Sequence, residues 1–300
     1  MFLLDLLPRT LLYIFFVLSM FSIGLQTTPN EMRSLLRSRA LIVQLLLANF
    51  VVVPLIGVLM VMTISFERAA ATAFLLLAFT PGGISSLQFT TKIKGEALFA
   101  GESAFIMSLL ALFISPVLIE LVHPGDIVVT LPHGRVIVFL ALFMLLPLAA
   151  GMWVCYSREH IAEKLIKPCA IIGTAAFVGM MVLTGGLRKE AFQAVGQTAL
   201  FSMLIFIIIS MIVGWYMGGP ASHTRPVFAT VTSMRNIALC ALIAVNTFPD
   251  KAVLHALIAF AALMIPMNMV FTMTTLIRFK KEDKAEKTSV GHKRSVHRHP

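Results

Sequence analysis

Apolar runs of about 20 residues follow one another along this 300-residue chain, and that is the length an α-helix needs to cross roughly 30 Å of hydrocarbon. These runs constrain the fold more than any local motif. Lipid offers no hydrogen-bond partners to an open sheet edge, so spans of this kind read as helices. About nine are expected, near residues 10–26, 40–62, 69–93, 96–121, 135–157, 167–187, 196–217, 226–248 and 252–277. The segment ahead of Pro8 carries Asp5 and Arg9 beside its apolar residues and is expected to lie on the surface as a short helix. Only 13% of residues are charged, against about 25% in a soluble domain. The reading is therefore an all-α polytopic membrane protein. One transmembrane domain covers residues 1–278, and a basic tail, residues 279–300, is too charged to pack and is expected to be disordered.

The net charge of +10 does not indicate nucleic acid, because the basic residues sit in short loops and in the tail rather than on one face. Alternate loops with the tail hold 17 Lys and Arg; the opposite loops hold six. That bias places the C-terminus in the cytoplasm and, with nine crossings of a cell membrane, the N-terminus outside. Cys155, Cys169 and Cys240 fall in or beside apolar runs with no CxxC spacing, as reduced thiols packed among apolar neighbours do. No cleavable signal peptide is evident in the first run. An enzyme would need a nucleophile with its base, a metal-ligand set or a phosphate loop, and the chain has no HExxH, GxSxG or Walker pattern. No cofactor is implied.

Two spans are irregular. The third breaks at Pro81-Gly82-Gly83 and resumes with Ser85 and Ser86. Proline removes a helix donor, and the glycines weaken the helix further. The eighth carries Thr230, Thr232, Ser233, Arg235 and Asn236 between apolar flanks. A guanidinium within a span is expensive unless it is paired or watered. Broken helices in both halves of a polytopic chain point to a solute site near the bilayer midplane. The bland alternatives are a simple kink at Pro81 and a structural ion pair at Arg235.

At these residues the chain resembles the bile acid:sodium symporter family. The similarity rests on Ser22-Ile23-Gly24-Leu25 with Thr28-Pro29, on Pro81-Gly82-Gly83-Ile84-Ser85-Ser86 with Lys94-Gly95, on Met234-Arg235-Asn236 with Leu239, and on Asn49-Phe50 before Pro54. The resemblance implies inverted repeats, two discontinuous helices that cross, and two domains. The panel would comprise spans 1, 5 and 6, and the core spans 2–4 and 7–9. It also implies transport of a small organic anion by alternating access. The implied substrate site comprises Asn49, Gly82, Gly83, Ser85, Ser86, Thr232, Ser233, Arg235 and Asn236. Auxin carriers and arsenite exporters resemble the same fold. A cysteine near the first crossover, as arsenite exporters use, is absent from residues 1–154.

The sodium positions implied by the resemblance are depleted. Ser86 keeps its hydroxyl, but Leu87 replaces an asparagine, and Ala100 and Ala104 replace hydroxyls. Val231 stands where the family carries glutamate, and Arg235 where it carries glutamine. A fixed cation would also repel Na⁺. The expectation is sodium-independent transport, as a uniporter or coupled to protons, with a sodium:organic anion symporter as the alternative. A receptor or structural membrane protein is the alternative of another class. Glu102, the acidic residue placed well inside a span, has three readings: partner of Arg235, proton carrier, or interfacial group. The expected partners are the lipid bilayer and the anion. A homodimer through the panel stays open.

Overall fold

The computed structural model describes residues 2–26, 39–82, 86, 89, 97–121, 138, 141–183, 192–193, 195–221, 223–248 and 251–296. Among these residues there are eleven α-helices, and the only β pairing is one isolated bridge. In chain order they are α1 (Phe2–Gln26), α2 (Arg39–Leu47), α3 (Val53–Thr63), α4 (Arg68–Phe79), α5 (Ala97–Leu121), α6 (Leu146–Ser157), α7 (Glu159–Leu183), α8 (Gln197–Met217), α9 (Thr224–Ser233), α10 (Ile237–Thr247) and α11 (Lys251–Val296). Four stretches among them are long and apolar enough to cross a membrane: Leu7–Gln26, Ala40–Thr63, Gln197–Met217 and Lys251–Phe279. The chain is thus a multi-pass helical membrane protein.

Two π-helical turns, Ala48–Val52 and Ala141–Leu145, lead into α3 and α6. Each has a proline just beyond it, Pro54 and Pro147. Proline has no N–H for the carbonyl four residues back, so the helix widens by one residue to pass it. At the first turn the N–H of Val53 reaches the carbonyl of Ala48. The widening sits at Asn49, which is fully buried.

Helix α1 lies along both α6 and α7, which also touch each other. Gly24 of α1 faces Gly151 of α6 so closely that a Cβ on Gly24 would strike the Leu148 carbonyl, and one on Gly151 the Phe21 carbonyl. Small residues let helix backbones meet in this way where lipid supplies no hydrophobic drive. Phe15 and Phe177, with ring centroids 4.6 Å apart, close the α1–α7 seam.

Helix α4 packs against α3, α10 and α11, while α8 pairs with α9. Every residue of α4 from Ala70 to Phe79 is buried, as expected of a helix apolar on all sides. An aromatic string runs through this region. Phe66 meets Phe74 at 5.3 Å, Phe74 meets Phe206 at 4.9 Å, and Phe206 meets Phe260 at 6.4 Å between centroids.

Three expectations need correction. Helix α1 runs unbroken from Phe2 through Pro8, so no separate surface helix precedes it. Pro8 removes one intrahelical donor, the one to the Leu4 carbonyl, and the helix continues past it. Helix α7 starts at Glu159, which puts Lys164 and Lys167 on a helix rather than in a loop. Helix α11 continues from the bilayer stretch to Val296, so the tail expected to be disordered is helical over most of its length. Residues 280–287 are mostly Lys and Glu, which are good helix formers, and extending an existing helix avoids the cost of nucleating one.

Candidate functional site

Helix α4 stops at Phe79. Thr80 leaves helical geometry, with φ −111° and ψ 87°, and its hydroxyl donates back to the Leu76 carbonyl at 2.7 Å. Pro81 and Gly82 follow outside any helix. Helix α9 stops at Ser233 without proline or glycine. Met234 is extended, at φ −79° and ψ 139°. Asn236 then caps α10: its Oδ1 accepts the N–H of Leu239 at 3.0 Å. Asparagine is a strong helix-start residue, so this break is written as a new beginning rather than as a stop.

The two breaks lie against each other. Pro81 and Arg235 form an antiparallel bridge, and the Asn236 N–H donates to the Thr80 carbonyl at 3.2 Å. A Cβ on Gly82 would collide with the Met234 carbonyl, so only glycine permits this approach. The C-terminal ends of α4 and α9 and the N-terminal end of α10 therefore converge. They bring partial negative and partial positive charge to one place within the apolar core.

Arg235 stands at this convergence and is 0% exposed. Its backbone N–H donates to Met264 Sδ at 3.1 Å, and Nη2 donates to the Thr232 carbonyl at 2.6 Å, in the last turn of α9. A cation there meets the negative end of the helix. The guanidinium carbon lies 5.5 Å from the centroid of Phe206, which adds a cation–π contact. Nε and Nη1 have no hydrogen-bond partner among the described residues.

Asn49 reaches the same turn of α9. Its Nδ2 donates to the Leu45 carbonyl at 3.0 Å and to Thr232 Oγ1 at 3.2 Å. Its Oδ1 and Asn236 Nδ2 have no partner among the described residues. Ser233 donates to Asn268 Oδ1 at 2.7 Å, and Asn268 Nδ2 donates to the Met264 carbonyl at 3.1 Å. The hydroxyl of Thr80 lies 2.7 Å from the thiol of Cys240. All three cysteines are buried, and none of them is in a disulfide.

Of the expected site residues, Asn49, Gly82, Thr232, Ser233, Arg235 and Asn236 are thus brought together. Ser86 is buried. Gly83, Ser85 and Leu87 lie outside the described residues. Glu102, Ala100 and Ala104 lie on α5, with side chains outside the described set. Val231 is buried among Leu45, Met107, Val227 and Phe228. Sequence reasoning left out Phe206, Cys240 and Met264, whose roles depend on contacts distant in sequence. Asn268 carried a signal as an amide deep in an apolar run, but it reads from sequence as a kink residue beside Pro266. Among the described residues, no three His, Cys, Asp or Glu side chains gather closely enough to hold a metal ion.

Fold and site together define a polytopic membrane protein in which interrupted helices meet at a buried cation. Residues 13–191 match the model of the Sodium Bile acid symporter family, and the chain belongs to that family. It is 24% identical over 206 residues to the uncharacterized sodium-dependent transporter YocS of Bacillus subtilis, covering 65% of this chain and 59% of that protein. It is 23% identical over 258 residues to the hepatic sodium/bile acid cotransporter of Rattus norvegicus, covering 81% and 69% of the two chains. With the ileal sodium/bile acid cotransporter of Oryctolagus cuniculus, identity is 23% over 281 residues, covering 87% and 80%.

Proposed function

We propose that this chain carries a small organic anion across a cell membrane by alternating access, with Arg235 as the fixed positive charge at the crossing. The observation that carries the reading is the fully buried guanidinium at two abutting helix breaks, with Nε and Nη1 unpartnered among the described residues. A cation in that position attracts an anion and also balances the carbonyl ends of α4 and α9. The convergence of helix ends matches the way carriers build midplane sites.

Transport on this reading needs no sodium. Val231 sits in an apolar cluster, so no carboxylate is available at that position, and the Arg235 charge would repel a nearby Na⁺. On this reading the chain is either a uniporter or coupled to protons, with Glu102 as the candidate proton carrier or as the structural partner of Arg235. Nine crossings, with the N-terminus outside and the C-terminus in the cytoplasm, are part of the proposal. The group α1, α6 and α7 would act as panel, and the elements around α4 and α8–α11 as core. Substrate-site roles for Gly83, Ser85 and Ser86 belong to the same reading.

A sodium:organic anion symporter is the second reading, favoured by the names of the relatives, several of which are sodium cotransporters. Uptake into proteoliposomes decides between them. A panel of organic anions is offered with sodium and proton gradients imposed separately, at constant ionic strength and membrane potential. The proposal expects uptake unchanged when choline replaces sodium. Uptake that climbs steeply with external sodium would establish the symporter reading instead.

A further inference from the structure

Resting on the reading of Arg235 as the anion's charge partner, we infer that Met264 is a positioning residue: its sulfur, braced by Asn268, sets where the guanidinium stands, and so sets anion affinity without touching the anion. Residues 234–236 lie between α9 and α10, and a buried backbone N–H must find an acceptor. The Met234 N–H donates back to the Thr230 carbonyl at 3.0 Å, and the Asn236 N–H donates to the Thr80 carbonyl at 3.2 Å. The Arg235 N–H donates instead to a side chain, Met264 Sδ, at 3.1 Å. A thioether is a weak acceptor, so this bond holds only while α11 keeps the sulfur in place.

Asn268 supplies that support. It stands about one turn beyond Met264 on α11, on the same face. Its Nδ2 donates to the Met264 carbonyl at 3.1 Å, and its Oδ1 accepts from Ser233 Oγ at 2.7 Å. Helix α11 therefore grips the break on both sides of Met234, at Ser233 and at Arg235. At its tip the guanidinium is tied through Nη2 to the Thr232 carbonyl at 2.6 Å. With backbone and tip both fixed, the directions of Nε and Nη1 follow from where α11 holds the residue. Removing the sulfur would leave the Arg235 N–H buried without an acceptor, which costs the desolvation of that group. The break would turn to find another acceptor and carry the guanidinium with it.

Met264→Leu removes the acceptor but keeps an apolar chain of nearly the same volume, a swap that a purely packing methionine accepts. Met264→Gln keeps the length and restores an acceptor as an amide oxygen. Uptake of labelled phthalate, glutarate and benzenesulfonate into proteoliposomes holding the full-length chain is measured against concentration, and each variant is checked for cooperative melting. For the probe that the unaltered chain carries fastest, Met264→Leu should raise the half-saturating concentration about fivefold, the scale of one buried hydrogen bond, and leave the maximal rate within about twofold. Met264→Gln should bring the half-saturating concentration back to within about twofold of the unaltered chain. An unchanged half-saturating concentration in Met264→Leu, or loss of its cooperative melting, would mark Met264 as a packing residue and overturn the inference while the anion reading stands. A Met264→Gln protein as impaired as Met264→Leu would overturn it as well. Uptake of none of the three probes by the unaltered chain would overturn the anion reading and this inference together.

Discussion

The seam between α1 and α6 and the crossing of α4 with the α9–α10 break are both places where backbone meets backbone through a glycine, yet they differ in polarity. At the first, Gly24 and Gly151 close two intact helices together. At the second, Gly82 closes two interrupted helices. The crossing also holds Arg235, Asn49 and Asn236 with polar atoms that lack partners among the described residues. The same residue type therefore serves opposite ends: stability at one seam, and at the other a polar junction that intact helices would have paired within themselves. A membrane protein can hold such a junction only because the surrounding core, such as the fully buried α4, is apolar and well packed.

Substitutions at the two seams should separate these roles. The largest effect is expected from Gly82→Val, whose side chain would enter the Met234 carbonyl; uptake should fall by more than about 100-fold, with a lowered melting temperature. Arg235→Met should also cost about 100-fold in uptake but raise the melting temperature, because a buried, incompletely paired charge is replaced by an apolar chain of similar length. Gly24→Ala should show the converse. It should destabilise by about 2 kcal/mol through the α1–α6 clash while anion affinity of the folded fraction stays within about twofold. Asn268→Ala, which removes the acceptor for Ser233, should weaken binding by about fivefold, near the 1 kcal/mol of one buried hydrogen bond. If Gly24→Ala and Arg235→Met changed stability and affinity in the same direction, the contrast between the seams would fail.

Much of the crossing was legible in the sequence because its causes are local. Pro81 and Gly82 announce a stop, and an arginine in an apolar run announces a polar environment. Asn236 marks a helix start, although its meaning as a cap appears only once Ser233 is known to end α9. The π turn at Asn49 is silent in the apolar pattern, although Pro54 five residues on is its cause. Phe206, Met264 and Cys240 are silent in sequence because their types are ordinary in apolar spans. They acquire roles only when α8, α10 and α11 close around the break. The helical tail is not legible from its charge content, because its helicity depends on the apolar helix it extends.

The most direct test of the arginine-held anion is uptake by the unaltered chain and by Arg235→Gln, measured side by side in proteoliposomes with and without sodium. Uptake by the unaltered chain should be indifferent to sodium and should be lost with Arg235→Gln in either condition. Steep sodium stimulation of the unaltered chain, together with undiminished uptake by Arg235→Gln, would contradict the account.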